Sequence, residues 1–225
     1  MSVLDKFSLK GKTAIVTGGE GLMGTMICET IKELGGKVYS FDKKTGIDLT
    51  SYQDILVMRK TTIRDTINII VNNAVGNQKP VDALARYWNE DIEIGLTSAL
   101  KIIQTFSEDL LNNNGVVLNI GSDLSLIAPD QSLYPEGMVK PLSYSVVKHG
   151  IIGLTRYYAS LWGSKARCNC LCPGGIDVGQ KFPKIPMGRL ARLDEMQGPI
   201  AFLLSDASSY MTGAVLTVDG GRTII

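Results

Sequence analysis

The chain has 225 residues, 44% of them hydrophobic, and its 23 basic and 22 acidic side chains leave a formal net charge of +1. That length suits one domain with a substantial core, and so even a charge balance carries no nucleic-acid footprint. No apolar run approaches the roughly 20 residues of a membrane helix, the first residues lack a basic-then-apolar secretion signal, and four cysteines fit a reduced, cytoplasmic setting.

Thr13–Thr17 is a short β-rich apolar run, read as a buried parallel strand. The turn Gly18-Gly19-Glu20-Gly21-Leu22-Met23-Gly24 follows, then a helical stretch to Leu34 that Gly35-Gly36 closes. Lys37–Phe41 is the next strand and ends at Asp42. Strand, glycine turn, helix, strand and acid form a phosphate cradle followed by a ribose acceptor. The glycines let a pyrophosphate approach the backbone, and the helix start offers N–H groups and a favourable dipole. Asp42 is placed to accept from adenosine ribose hydroxyls. Asp42 repels a 2′-phosphate and Glu20 adds a second carboxylate, so NAD is favoured over NADP, although Lys43 and Lys44 pull the other way.

Gly46–Thr50 reads as a third strand, 51–65 as a modest helix and Asn68–Val71 as a fourth strand running into Asn72-Asn73-Ala74. Residues 81–112 carry a long helical pattern broken near Gly95, and Gly115–Ile120 is a fifth strand ending at Gly121-Ser122. A long loop leads to a helix over 144–162; such loops are usually functional. Arg167–Cys172, the last helix at 194–205 and Ala214–Val218 complete the pattern. Strands alternating with helices predict a single-domain, doubly wound Rossmann-type parallel sheet of about seven strands over residues 1–225. Ligands gather at the carboxyl ends of such strands. Tyr144 and Lys148 are four apart, hence on one helix face, and that helix opens toward the same crevice. A neighbouring ammonium favours phenolate, which makes the pair a general acid-base for an alcohol oxygen.

Together these pieces resemble the short-chain dehydrogenase/reductase family over essentially the whole chain. The resemblance rests on the Thr17–Gly24 loop, Asp42, Asp48-Leu49, Asn72-Asn73-Ala74, Ser122, Tyr144-x-x-x-Lys148, Pro173-Gly174 and Val218-Asp219-Gly220-Gly221. It implies that Tyr144 is the acid-base, that Lys148 lowers its pKa and holds the nicotinamide ribose, and that Ser122 orients the substrate oxygen. It places Gly18, Glu20, Gly21, Leu22, Met23, Asp42, Asp48, Leu49, Asn73, Ala74, Pro173, Gly174 and Ile176, with Tyr144 and Lys148, along the cofactor. The segments Gly121–Gln131 and Lys140–Trp162 are similar to oxidoreductases of flagellin-modification and surface-polysaccharide sugar pathways, implying a nucleotide- or phospho-sugar substrate. The family also builds a subunit interface on the 144–162 helix, so a homodimer or homotetramer is expected.

The departures matter as well. The glycine loop has Leu22 where short members carry a glycine, and Gly95 stands where the family has a proton-relay Asn. Val75 and Val178 replace a Gly and a Thr, and the segment from Gly174 to Arg189 is short, leaving the 123–143 loop to roof the pocket. These differences keep an alternative open: a dinucleotide-binding partner or sensor subunit with impaired turnover. Cys168, Cys170 and Cys172 alternate on one strand face and read as buried, inert thiols. His149, the single histidine, reads as a surface residue and supports neither a metal site nor a catalytic triad.

Overall fold

In the computed structural model, residues 2–76, 79, 81 and 85–225 are described. Strand β1 (Thr13–Thr17) is buried at every position, as a strand covered on both faces must be, and runs parallel to β2 (Lys37–Phe41). Between them α1 (Leu22–Glu33) starts at Gly21 and gives way to Gly35, whose φ of 86° suits glycine. Helix α2 (Tyr52–Thr61), capped by the Ser51 hydroxyl, precedes β3 (Ile69–Asn72). The pattern over 81–112 resolves into α3 (Trp88–Ile92), a π-helical turn (Glu93–Thr97), α4 (Ser98–Thr105) and α5 (Ser107–Asn112). Gly95 lies in the middle of that π turn, where the break was expected; residues 82–84 are outside the described ones. Then come β4 (Val116–Ile120), α6 (Leu142–Trp162), β5 (Arg167–Pro173), α7 (Gln197–Leu204) and β6 (Val215–Val218).

The strands form one parallel sheet in the order β2-β1-β3-β4-β5-β6. It has six strands rather than seven, because Gly46–Thr50 is a loop. Gly46 takes a φ of 87°, and the Asp48 carboxylate accepts from the Thr50 N–H at 3.0 Å and its hydroxyl at 2.8 Å. Those local side-chain bonds compete with a strand ladder.

Alternate residues feed opposite faces. Ile15, Ile70 and Val117 pack with Ile55, Ile102, Phe106, Tyr158 and Trp162, the side of α2, α4 and α6. Val16, Val71 and Leu118 pack with Ile27, Ile31, Ile200 and Leu203, the side of α1 and α7. Each such side chain contributes about 1.5–3 kcal/mol by leaving water. One polar thread crosses the first layer. Asn72 Nδ2 donates to Asn119 Oδ1 at 2.8 Å, Asn119 Nδ2 to Thr155 Oγ1 at 2.9 Å, and Thr155 Oγ1 to the Ile151 carbonyl at 2.8 Å. The three strand cysteines are free and fully buried, as expected, with the Cys170 and Cys172 sulfurs 3.8 Å apart. No helix among the described residues is long and apolar enough to cross a membrane.

Candidate active site

The sheet order reverses between β1 and β3, and at such a switch point the loops after the strands part to leave a crevice. Here the crevice is a cavity of about 960 Å³. Gly18, Gly21, Leu22, Met23, Asp42, Asp48 and Leu49 line its β1–β2 side. Asn73 and Ala74 follow β3, and Ser122, Tyr144, Lys148, Pro173, Gly174 and Ile176 line its β4–β5 side. Of the residues expected at the site, Glu20 alone does not line the cavity. Its carboxylate accepts from the Ser40 hydroxyl at 2.7 Å, while its N–H donates to Asp42 Oδ2 at 3.2 Å.

Two glycines shape the first turn. Gly18 has a φ of 63°, and a Cβ there would come 2.9 Å from Ala74 Cα; at Gly24 it would come 2.0 Å from the Gly18 carbonyl oxygen. The Asn73 amide nitrogen donates to the carbonyls of Thr17 and Gly18, each at 3.0 Å, and the Thr17 hydroxyl accepts from the Asn73 and Ala74 N–H groups. Asn73 thus ties the end of β3 to the glycine turn. Gly21 begins α1 without a side-chain cap, so the first N–H groups of the helix are available at the cavity wall. Uncapped donors and the positive end of a helix dipole suit a phosphate. The Asp42 carboxylate accepts from the Lys44 N–H at 2.9 Å. Both lysines after Asp42 are engaged. Lys43 Nζ is 3.4 Å from Asp48 Oδ2, and Lys44 Nζ donates to the Glu20 carbonyl at 3.1 Å.

On the other side, the Ser122 hydroxyl donates to Asp123 Oδ1 at 2.8 Å and accepts from the Leu124 N–H at 3.2 Å. Asp123 Oδ2 is paired with Arg222 Nη1 at 2.6 Å. Tyr144, on the first turn of α6, lines the cavity with its side chain close to Ser122. Lys148 is buried and donates to the Ile120 carbonyl at 2.6 Å. The ammonium groups of Lys140 and Lys148 lie 4.1 and 5.7 Å from the centre of the Tyr144 ring.

Burial dominates the proton affinities. It pushes the Tyr144 hydroxyl up to about 12, with the Asp123 carboxylate adding to the rise. Burial also lowers Lys148 and Lys140, each to about 8. Desolvation of the phenolate sets the direction for Tyr144, opposite to the depression by Lys148 expected from the sequence. The Lys148 ammonium is directed at a backbone carbonyl.

Leu133, Tyr134 and Pro135 of the 123–143 loop line the cavity, as do Val178 and Phe182 of the short segment after β5. Asp123 and Lys140, within the loop expected to roof the pocket, and Arg222 also line it, none with an individual role expected from the sequence. A charged residue directly after the strand-end serine was the available signal for Asp123; nothing local pointed to Arg222.

A crossed-over parallel sheet, an uncapped helix start at its switch point and a Ser-Tyr-Lys cluster facing it define the class of Rossmann-type oxidoreductases. The family model described as enoyl-(acyl carrier protein) reductase matches residues 14–223, and the chain belongs to the short-chain dehydrogenase/reductase family. It is 28% identical to 2-dehydro-3-deoxy-D-gluconate 5-dehydrogenase of Bacillus subtilis, covering 96% of each chain. It is 30% identical to NADP-dependent mannitol dehydrogenase of Hypocrea jecorina, covering 98% of this chain and 96% of that one. A short-chain dehydrogenase of Leptospira borgpetersenii, solved with bound NAD+, superposes with a TM-score of 0.85 at 25% identity, covering 99% of this chain and 96% of that chain.

Proposed function

We propose that the protein is an NAD-dependent oxidoreductase that interconverts an alcohol and a ketone on a sugar-derived substrate. The observation that carries this reading is the meeting of Ser122, Tyr144 and Lys148 in the cavity whose other side holds Asp42 and the open start of α1. The fit to a dinucleotide rests on the turn itself, where Gly18 and Gly24 leave no room for a Cβ. The first N–H groups of α1 would hold the pyrophosphate, Asp42 the adenosine ribose, and Lys148 the nicotinamide ribose. When bound, the nicotinamide gives or takes the hydride. Tyr144 would give or take the proton at the substrate oxygen, and the Ser122 side chain beside it would fix where that oxygen sits. The names of the relatives support a sugar-derived substrate. A nucleotide- or phospho-sugar of flagellin or surface-polysaccharide modification is the narrower reading, carried by the 121–131 and 140–162 segments.

NADH consumption against a panel of sugar-derived ketones tests this reading, with turnover of at least one expected. A second reading, a dinucleotide-binding subunit with little turnover, is favoured by Gly95, Val75 and Val178 and by the short segment from Gly174 to Arg189. NADH binding without oxidation by any ketone in the panel would support it.

A further inference from the structure

We propose that Arg222, in the last turn of the chain, is a positioning residue of this site: it holds Asp123 so that Asp123 orients the Ser122 hydroxyl while its negative charge is offset beside Tyr144. The inference rests on the roles assigned above to Ser122 and Tyr144.

Arg222 and Asp123 are 99 residues apart in sequence, yet their side chains meet at 2.6 Å with exposures of 13% and 5%. The Asp219-Gly220-Gly221 turn aims Arg222 inward. Asp219 accepts from the N–H groups of Gly221 and Thr223 at 2.9 and 2.7 Å, and Gly221 takes a φ of 88° immediately before Arg222. Asp123 in turn receives the single proton of the Ser122 hydroxyl and the Leu124 N–H, both at 2.8 Å on Oδ1. A serine whose proton is given to a carboxylate presents lone pairs to its other neighbours, and Tyr144 lines the same cavity. The groups facing Tyr144 are Ser122 and Asp123 after β4, Tyr134 of the long loop, Cys172 of β5, and Lys140 and Lys148. Among those described groups Asp123 is the carboxylate, and a nearby like charge disfavours phenolate. Arg222 is bonded directly to it.

A simple tether for the chain end predicts something different: loss of stability with no change in how Tyr144 titrates. Tyrosine labelled with 13C at Cζ separates the two by NMR, the Tyr144 signal being the one lost in Tyr144→Phe. Asp123→Asn should bring the Tyr144 titration down by about one unit or more. Arg222→Gln should keep Tyr144 protonated to the highest pH at which the fold persists, and Arg222→Lys should fall between it and wild type. The Arg222→Gln/Asp123→Asn pair should titrate below Arg222→Gln, since the uncompensated charge is gone. In alcohol oxidation, Arg222→Gln should lose about tenfold in rate at fixed pH on the rising limb. Melting temperatures that fall while the Tyr144 titration stays at its wild-type position in every variant would overturn the proposal. If the wild-type chain oxidises no alcohol, the oxidoreductase reading fails, and the NMR titrations still decide this one.

Discussion

Gly95→Asn puts back the side chain that the family resemblance finds missing, and the structure predicts that it does harm. A Cβ at position 95 would lie 2.5 Å from Val147 Cγ1, whereas carbon atoms in contact sit about 3.5–4.0 Å apart. About 1 Å of overlap must be relieved. Val147 is 2% exposed, sits on α6 and is β-branched, so it has few other rotamers; Gly95 is itself buried in the π turn. Overpacking of this kind costs about 1–3 kcal/mol. Leaving glycine in a helix regains only a few tenths of a kcal/mol, so the contact sets the sign. For a chain of this size each kcal/mol lowers Tm by about 2–4 °C, giving a fall of roughly 2–12 °C by circular dichroism. Val147 precedes Lys148, so its displacement should also disturb the ammonium, and NADH oxidation should drop rather than rise. In a double-mutant cycle, Val147→Ala should absorb much of the damage, with a coupling of about 0.5–3 kcal/mol. A Gly95→Asn chain that melts at the wild-type temperature, or effects that simply add, would show that Val147 does not crowd position 95.

Tyr144→Phe should cut turnover by about 10²–10⁴-fold while NADH binding, read by fluorescence, survives. The same variant tests the raised pKa. The unfolded phenol ionises near 10 and the folded one at about 12, so Tyr144 leaves stability untouched below pH 10 and removes up to about 3 kcal/mol between 10 and 12; denaturant melts of Tyr144→Phe should lack that alkaline loss. Lys148 has the opposite sign. Its folded pKa of about 8 lies below its unfolded 10.5, so its contribution is present above 10.5 and lost as pH falls through 8. The stability of wild type relative to Lys148→Met should therefore improve by roughly 3 kcal/mol from pH 7.5 to 10.5, and a flat difference across that range would contradict a buried ammonium. Asp42→Ala should narrow the preference for NADH over NADPH in parallel binding titrations; equal binding of both by wild type would show that Lys43 and Lys44 decide the matter instead.

The residues that line the cavity were more legible in the sequence than the sheet was. The glycine turn, Asp42, Ser122 and the Tyr144–Lys148 pair could be read because each is short-range: a turn needing glycine, or two residues one helical turn apart. Gly46–Thr50 misled because Ile47 and Leu49 alternate like a strand and are indeed buried, yet Asp48 folds the backbone back on Thr50. The Asp123–Arg222 pair was out of reach, since no local pattern reports a contact across 99 residues. The burial of Tyr144 was out of reach for a related reason. Spacing revealed a neighbouring ammonium, but how deeply both groups are buried, and where the ammonium donates, belongs to the packed chain.

The hydrogen bond between Asn72 and Asn119 also governs alignment. β3 and β4 are apolar on both faces, so sliding one past the other by a residue would exchange one buried aliphatic for another at little cost in burial. Asn72 and Asn119 are directly opposite partners across that pair of strands, and only in this register do their amides meet. A slip would leave two amides buried without each other, each costing about 1–3 kcal/mol. Because Asn73 follows one strand and Ser122 the other, the same amide pair sets the spacing between the glycine turn and the Ser122–Tyr144 cluster. Its disruption should show itself as a blurred active site before it shows itself as an unfolded protein.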